Sequence, residues 1–530
     1  MRFHSTHHLL RAIIDDLGIP ARPFDVTEAH LRVRGRTLSP TEIVAGACGR
    51  CGAGIPFMLR PDERKKSPDA LVKDAMMELL KNLSFPDTTH SEAHEYHLRL
   101  LEGRYSPDTW KFVRKHAMYE NIPLRDIGFL NILQHYMSNE AFQLVHDAMS
   151  LESVLGNWNA AEAIPWFVSD FAAGDLWMVP GGMSRIVEKM ISELESDALG
   201  NHSHLVKNAE VTACRQQDDE TWKLWRNGNK DDGEEFDDVI LALPVNALRR
   251  ITITGIKKEF DRSWFDDIEP HRLYKIFLLY EHPWWVGQDL PGADTGRTYT
   301  DLPLRQVYYF HPDWLARCVE VATKEQGYTP RDPKWRDDFD ELVTRWERPV
   351  LPSLERRIHP QWSLVMASYS DEHYVDFWDP PRSAGSSAPI HFSRPGRVSS
   401  GDAKKLEHAF EDLPNELMVT ERIVRKVQQQ LREIHGDAVE TPVAGVYKNW
   451  SDPPIYAGWH TWKIGADPEK QALAPALKGL YFCGEAWSRD QGWIEGALKT
   501  AECVLRHLDI PGPDRAQRYC DLDFDTYIGL

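Results

Sequence analysis

Near its end the chain runs Gly479-Leu480-Tyr481-Phe482-Cys483-Gly484-Glu485, a short apolar strand that turns sharply, and Gln491-Gly492 then opens an amphipathic helix. Trp493, Ile494, Ala497, Leu498, Ala501 and Val504 fall at the spacing of one buried helix face. A buried helix that starts on glycine points unpaired backbone N–H groups and a positive dipole end at whatever lies before it. An electron-rich heterocycle with carbonyl oxygens suits that position. Glu485, on the preceding turn, can accept hydrogen bonds from sugar-type hydroxyls. A strand, a glycine turn and a buried helix in this order predict an α/β sheet with a ligand at the strand end.

The remainder reads as a mixed chain. One helical face, Leu9, Leu10, Ile13, Ile14 and Leu17, follows Ser5 and Thr6 as candidate caps and stops at Gly18. Residues 70–83, 107–116, 126–137 and 140–149 read as helices, and Gly181-Gly182-Met183 turns into another, Ser184 to Leu194, with Ser184 as candidate cap. Strands are expected at 210–215, 221–226 and 236–243, with the apolar run Val239 to Leu243 buried on both sheet faces. Further strands follow at 272–280, 298–310 and 363–369. The stretch 379–401 reads as a loop, and the tail beyond Pro511 has no period.

Composition narrows the function. The formal net charge of −19 disfavours nucleic acid as a partner. No apolar run approaches the ~20 residues that span a bilayer, so no membrane partner is expected, and the chain reads as cytoplasmic. Seven cysteines in 530 residues make no disulfide framework, and Cys48-Gly49-Arg50-Cys51 lacks the second pair of a zinc site, so no metal is expected. The 19 tryptophans imply large cores or an aromatic-lined pocket.

Four more segments carry chemistry. In Arg272-Leu273-Tyr274-Lys275-Ile276-Phe277-Leu278-Leu279-Tyr280 the lysine shares its face with Leu273, Phe277 and Leu279, which predicts a buried ammonium with a lowered pKa. The alternative is a lysine snorkelling at a strand edge. Of the adjacent Tyr308 and Tyr309 only one can face a pocket; Tyr309 is favoured and Tyr308 held in reserve, with a core aromatic pair as the alternative. Trp450, Trp459 and Trp462 flank Ser451-Asp452-Pro453-Pro454 and serve either a pocket or a core. Arg2 offers a planar fork to a carboxylate, or else is a solvated terminal charge.

Taken in order, these motifs resemble the flavin-containing amine oxidase family, and within it the FAD-dependent L-amino-acid oxidases. The resemblance covers nearly the whole chain. It implies FAD as cofactor, with Gly181, Gly182, Met183, Leu205, Trp450, Gly484, Glu485, Trp493 and Ile494 binding it. It implies Lys275 as the catalytic residue that holds a water at the flavin, and Arg2, Tyr309 (or Tyr308), Gly492 and Trp493 as the substrate site. Gly492-Trp493 is similar to amino-acid oxidases, where simple amine oxidases tend to have Gly-Tyr. The implied reaction is oxidative deamination of an L-amino acid by hydride transfer to FAD, with O2 as acceptor, giving 2-oxo acid, ammonia and hydrogen peroxide. Rival readings are an amide-forming amino-acid 2-monooxygenase, a polyamine or monoamine oxidase, and a non-catalytic partial subunit.

The implied fold is α/β and α+β, an FAD-binding Rossmann-like domain lacking its first βαβ unit, with a mixed-sheet substrate domain and a helical domain. Its expected parts are residues 1–55 and 271–470 for substrate, 56–172 helical, 173–270 and 471–512 for FAD, and 513–530 as tail. Gly-x-Gly-x-x-Gly, the usual phosphate fingerprint, does not occur in the sequence. Met1 coincides with a methionine that is internal in relatives, which suggests either a truncated reading whose start lies upstream or a separate chain carrying that segment. A homodimer is the other expected assembly.

Overall fold

The computed structural model describes residues 2–24, 29–46, 54–168, 175–179, 182–196, 204–228, 233–255, 260–280, 283–285, 296–310, 363–383, 418–468 and 477–510. At its centre is a seven-stranded mixed sheet. The strands lie in the order Ala444–Asn449, Leu273–Tyr280, Ser363–Asp371, Gln306–Phe310, Arg297–Thr300, Ala29–Val33 and Arg36–Leu38. Neighbours are antiparallel except Arg297–Thr300 with Ala29–Val33, which run parallel.

Alternation along these strands divides their side chains between two faces. One face buries Ile276, Leu278, Val307, Tyr309 and Val365 against Val424, Val427 and Leu431 of the helix Glu421–His435. The other face carries Arg297, Tyr299, Tyr308, Tyr369 and Lys275, as their strand pairings require. Tyr299 on that face packs on a helical core that includes the helices Pro68–Lys81, Phe129–Tyr136 and Asn139–Met149. Two of these helices, and Pro107–His116 beside them, form where serine precedes an apolar periodic run, whereas Phe129–Tyr136 starts after Gly128 without a side-chain cap. Ser67, Ser106 and Ser138 each accept a backbone N–H three residues on, at 3.1–3.2 Å.

The helices expected at 70–83, 107–116 and 140–149 stand as Pro68–Lys81, Pro107–His116 and Asn139–Met149. The one expected at 126–137 starts as a 3-10 turn, Leu124–Asp126, before Phe129–Tyr136. His90–Leu101, Ala160–Trp166 and Glu421–His435 are helices the sequence reading did not single out. Two expected caps fail. Neither Ser5 nor Thr6 caps the first helix, His8–Asp16; its free Leu9 and Leu10 N–H groups donate to the Glu495 carboxylate at 3.1 and 2.9 Å. Ser184 lies inside its helix, whose N-terminal flank is Met183 with no side-chain cap.

The expected single strand 236–243 divides. Glu234–Phe236 joins the antiparallel meander with Trp222–Arg226 and Val211–Gln216. Val239–Leu241 instead pairs in parallel with Leu480–Phe482. It is not buried on both faces: Val239 and Leu241 face the core while Ile240 is 41% exposed. An apolar run signals burial only when both sides have a packing partner, and among the described residues this pair is two-stranded. The expected loop begins later than 379, because the helix His373–Ser383 continues into it. Cys48, Cys51 and the tail beyond Pro511 lie outside the described residues.

Candidate active site

Arg2 Nη1 donates to the Tyr308 hydroxyl at 2.6 Å, and that hydroxyl donates to Gln306 Oε1 at 2.8 Å. Burial opposes charge on Arg2, but Tyr308 and the neighbouring Tyr299 and Tyr369 raise its pKa above the usual arginine range. Burial likewise works to raise the Tyr308 phenol, yet Arg2 and Arg297 outweigh it and hold the group below its ordinary value. The preference for Tyr309 is therefore corrected. Its hydroxyl points through the opposite face to His435 Nε2 and Thr298 Oγ1, 3.1 Å away in the second case. The phase of the strand is fixed by the helix behind it, and Tyr308 takes the pocket side. Tyr308→Phe is expected to weaken binding of a carboxylate ligand about tenfold, the size of one charge-assisted hydrogen bond. Tyr309→Phe is expected to leave that affinity unchanged and lower stability by about 1 kcal/mol. Calorimetric titration and denaturant melts of both variants separate the two.

Lys275 is buried on the same face. Its ammonium lies 4.3 Å from the Tyr369 ring centroid and 5.1 Å from that of Trp450. Burial, reinforced by repulsion from Arg2, lowers its pKa to about 8. A lysine flanked by aromatic faces in a dry site has a neutral form within reach of ordinary pH.

The mouth of the helix Ile494–His507 adjoins this group through the short strand Phe3–His4. His4 and His7, two and five residues after Arg2, each put a ring 4.9 Å from Trp493. Burial, with His4 nearby, lowers the His7 pKa to about 4, so its ring is neutral there at pH 7. Gly492 holds φ at +84°, and an added Cβ would lie 2.9 Å from Trp459 Cε3, so both conformation and close approach require glycine. Trp459 is fixed from behind: its indole N–H donates to Ser153 Oγ at 3.1 Å, and the His271 ring lies 5.0 Å away. Ser153 in turn donates to the fully buried Asp371, which also accepts from the Glu152 N–H at 3.0 Å.

Glu485 stands in the same place but is not open. It accepts from the His460 N–H at 3.0 Å, from His460 Nδ1 at 2.7 Å and from the Gly492 N–H. Its carboxylate shapes the turn that presents Gly492, rather than waiting for sugar hydroxyls. Gly484 adopts φ +134° on that turn. Ile494 is 38% exposed at the helix mouth, and Leu205 is 44% exposed outside any helix or strand. Gly182 is exposed with φ +97°, Met183 is buried, and Gly181 lies outside the described residues. Glu495, His460, Ser153 and Asp371 were not singled out from the sequence. Their partners lie 25 to 486 residues away in the chain, beyond the reach of any local motif.

The residues present fit a flavin. Ser451 Oγ, His460 Nε2 and Trp493 Nε1 are buried without a hydrogen-bond partner among the described residues. His460 and Trp493 belong to the helix-mouth segments beside Trp459, and Ser451 follows Trp450, whose ring faces Lys275; the two indoles add flat apolar walls. Buried polar atoms of this kind call for a ligand that combines an aromatic body with polar edges.

Comparison with known proteins identifies the class to which this arrangement belongs. Residues 1–365 and 394–504 match the family described as flavin containing amine oxidoreductase, and the chain belongs to it. It is a flavin-dependent amine oxidoreductase. It is 22% identical to Aplysianin-A of Aplysia kurodai over 94% of this chain and 78% of that protein. It is 29% identical to L-amino-acid oxidase 4 of Hebeloma cylindrosporum over 25% of this chain and 22% of that one. Among solved structures, wild-type putrescine oxidase bound to putrescine aligns with a TM-score of 0.53 and 14% identity, over 96% of this chain and 87% of that one. Cyclohexylamine oxidase from Brevibacterium oxydans IH-35A aligns with the same score at 13% identity and the same coverage. These two likenesses establish the fold. Among the described residues no helix is long and apolar enough to cross a membrane.

Proposed function

We propose that the protein oxidatively deaminates an L-amino acid to the 2-oxo acid, ammonia and hydrogen peroxide. The observation that carries this reading is the Arg2–Tyr308 pair on the pocket face. A guanidinium backed by a phenol is a carboxylate receptor, and an amine without an acid group has no use for it.

In this reading Arg2 and Tyr308 hold the α-carboxylate and so fix where Cα–H points. The Gly492 carbonyl accepts from the substrate amine, and Trp459 and Trp493 close the apolar walls. Gly182, Met183, Leu205, Trp450, Gly484, Trp493 and Ile494, with Gly181, would hold the flavin. When bound, flavin supplies the two-electron acceptor these side chains lack. The substrate loses a hydride from Cα and a proton from nitrogen, and water then splits the imino acid into 2-oxo acid and ammonia. O2 takes up the electron pair and two protons as peroxide.

In the same reading Lys275 holds a water and exchanges a proton at its Nζ. Its lowered pKa means it is protonated below about pH 8 and neutral above. The kcat/KM profile of the flavin-loaded protein should rise through pH 8, and Lys275→Met should lose that limb while keeping any other. A limb that survives in the variant would assign it to another group.

The test of the reaction is product analysis on the flavin-loaded protein. Equal amounts of 2-oxo acid, ammonia and peroxide from an L-amino acid support the reading. An amide product, or equal turnover of putrescine, overturns it.

A further inference from the structure

The pocket face carries more positive charge than one α-carboxylate needs. Arg297 lies directly opposite Tyr308 in the strand pairing, so both side chains leave the sheet on the same side. Its guanidinium lies 4.9 Å from the centroid of Tyr299, and its field and hydrogen bond act on the Tyr308 phenol together with those of Arg2. Its Nε is buried with no hydrogen-bond partner among the described residues. Lys275 adds a third cation close enough to Arg2 to be felt by it.

No carboxylate among the described residues is bonded to either arginine. The two whose fields reach the cluster are otherwise placed. Asp371 is committed to the Glu152 and Ser153 N–H groups, and Asp69 is exposed at the start of its helix, acting on Tyr299 only through space. Tyrosine hydroxyls are the polar edges left; Tyr308 keeps its proton, which it donates to Gln306 Oε1, and a neutral phenol cannot balance a guanidinium. Cations gathered in a poorly hydrated site without counter-charge are costly unless the ligand brings it. One carboxylate at Arg2 leaves Arg297 unanswered.

We infer that Arg297 receives a second acid group, so that the substrate is an L-amino acid with a carboxylate side chain. This rests on the α-carboxylate reading of Arg2. Arg297 binds the distal carboxylate through its planar fork, Tyr308 separates the two anion positions, and Tyr299 and Phe310 wall the methylenes between them. Phe310 stacks on the Tyr308 ring at 6.3 Å with the planes 10° apart. An aliphatic side chain in the same place strands Arg297 against apolar surface and is disfavoured for that reason.

The test needs no turnover. The full chain is titrated calorimetrically with glutarate, succinate and butyrate, as wild type, Arg297→Gln, Arg297→Lys and Arg2→Gln, each checked for native far-UV dichroism. Glutarate or succinate should bind at least tenfold more tightly than butyrate. Arg297→Gln should erase that difference while butyrate still binds, weakened at most by the lost Arg297 contact to Tyr308, Arg297→Lys should keep part of it, and Arg2→Gln should weaken all three. If butyrate binds as well as the diacids, or if the preference survives in Arg297→Gln, the second acid position is refuted while the α-carboxylate reading stands. If no acid binds at all, both fall together.

Discussion

Replacing Arg2 by alanine is expected to raise KM for amino acids by about 30- to 1,000-fold, with a much smaller change in kcat. The guanidinium is the donor that a carboxylate meets first, and it is already oriented by a 2.6 Å bond to Tyr308. Losing a charge-assisted, partly desolvated pair costs roughly 2–4 kcal/mol. The effect falls on KM because the carboxylate is gripped alike before and during the reaction, which is uniform binding. Two side effects follow from the electrostatics. Removing Arg2 removes a cation that depresses both Tyr308 and Lys275, so the Lys275 limb should move upward from about pH 8. Kinetics across a pH series on the flavin-loaded variant check both; an unchanged KM would exclude Arg2 from the carboxylate site.

The fold was legible wherever a signal is local. The strand turn at Gly484-Glu485, the lysine strand and the serine-capped helices depend on residues within a few positions of one another. Lys275 was legible as buried because Leu273, Phe277 and Leu279, at its own alternation along the strand, are apolar. Tyr308 and Tyr309 show where local reasoning stops. Alternation says that one of them faces the pocket, but its phase is set by His435, 126 residues further on, which engages Tyr309 from the helix behind the sheet. The same limit explains Glu485. A glutamate beside a glycine turn reads as a ligand for hydroxyls, yet His460 and Gly492 claim its oxygens in the folded chain. The Val239 to Leu243 run read as doubly buried because hydrophobicity reports a tendency to be covered and not the cover itself. Arg297 drew no notice in the sequence, since an arginine at a strand start is ordinarily a solvated charge. Only the pairing with Tyr308 places it beside Arg2.

The second large effect is expected at Glu495, a residue that touches no substrate. Its carboxylate is 2% exposed and accepts the Leu9 and Leu10 N–H groups, so it caps the first helix from the first turn of the last long one. Glu495→Ala leaves two buried N–H donors without an acceptor, each costing ~1–3 kcal/mol, and removes the desolvation penalty of the carboxyl. The net loss should be about 3 kcal/mol, read as a shift in denaturant midpoint. The pH dependence has a definite sign. Burial raises the Glu495 pKa above the ordinary 4.5, against the opposing pull of the two N–H groups. A group with a raised folded pKa contributes its stability in full below the ordinary value and loses it as pH rises through the folded one. The deficit of the alanine variant should therefore be largest in acid and shrink toward neutrality. The site should suffer as well, because the helix that Glu495 anchors follows His4 and His7, which brace Trp493, and lies six residues from Arg2. Loosened at that joint, the variant is expected to bind carboxylates more weakly even where it remains folded. A variant as stable as the wild type at every pH would show that the first helix needs no such anchor.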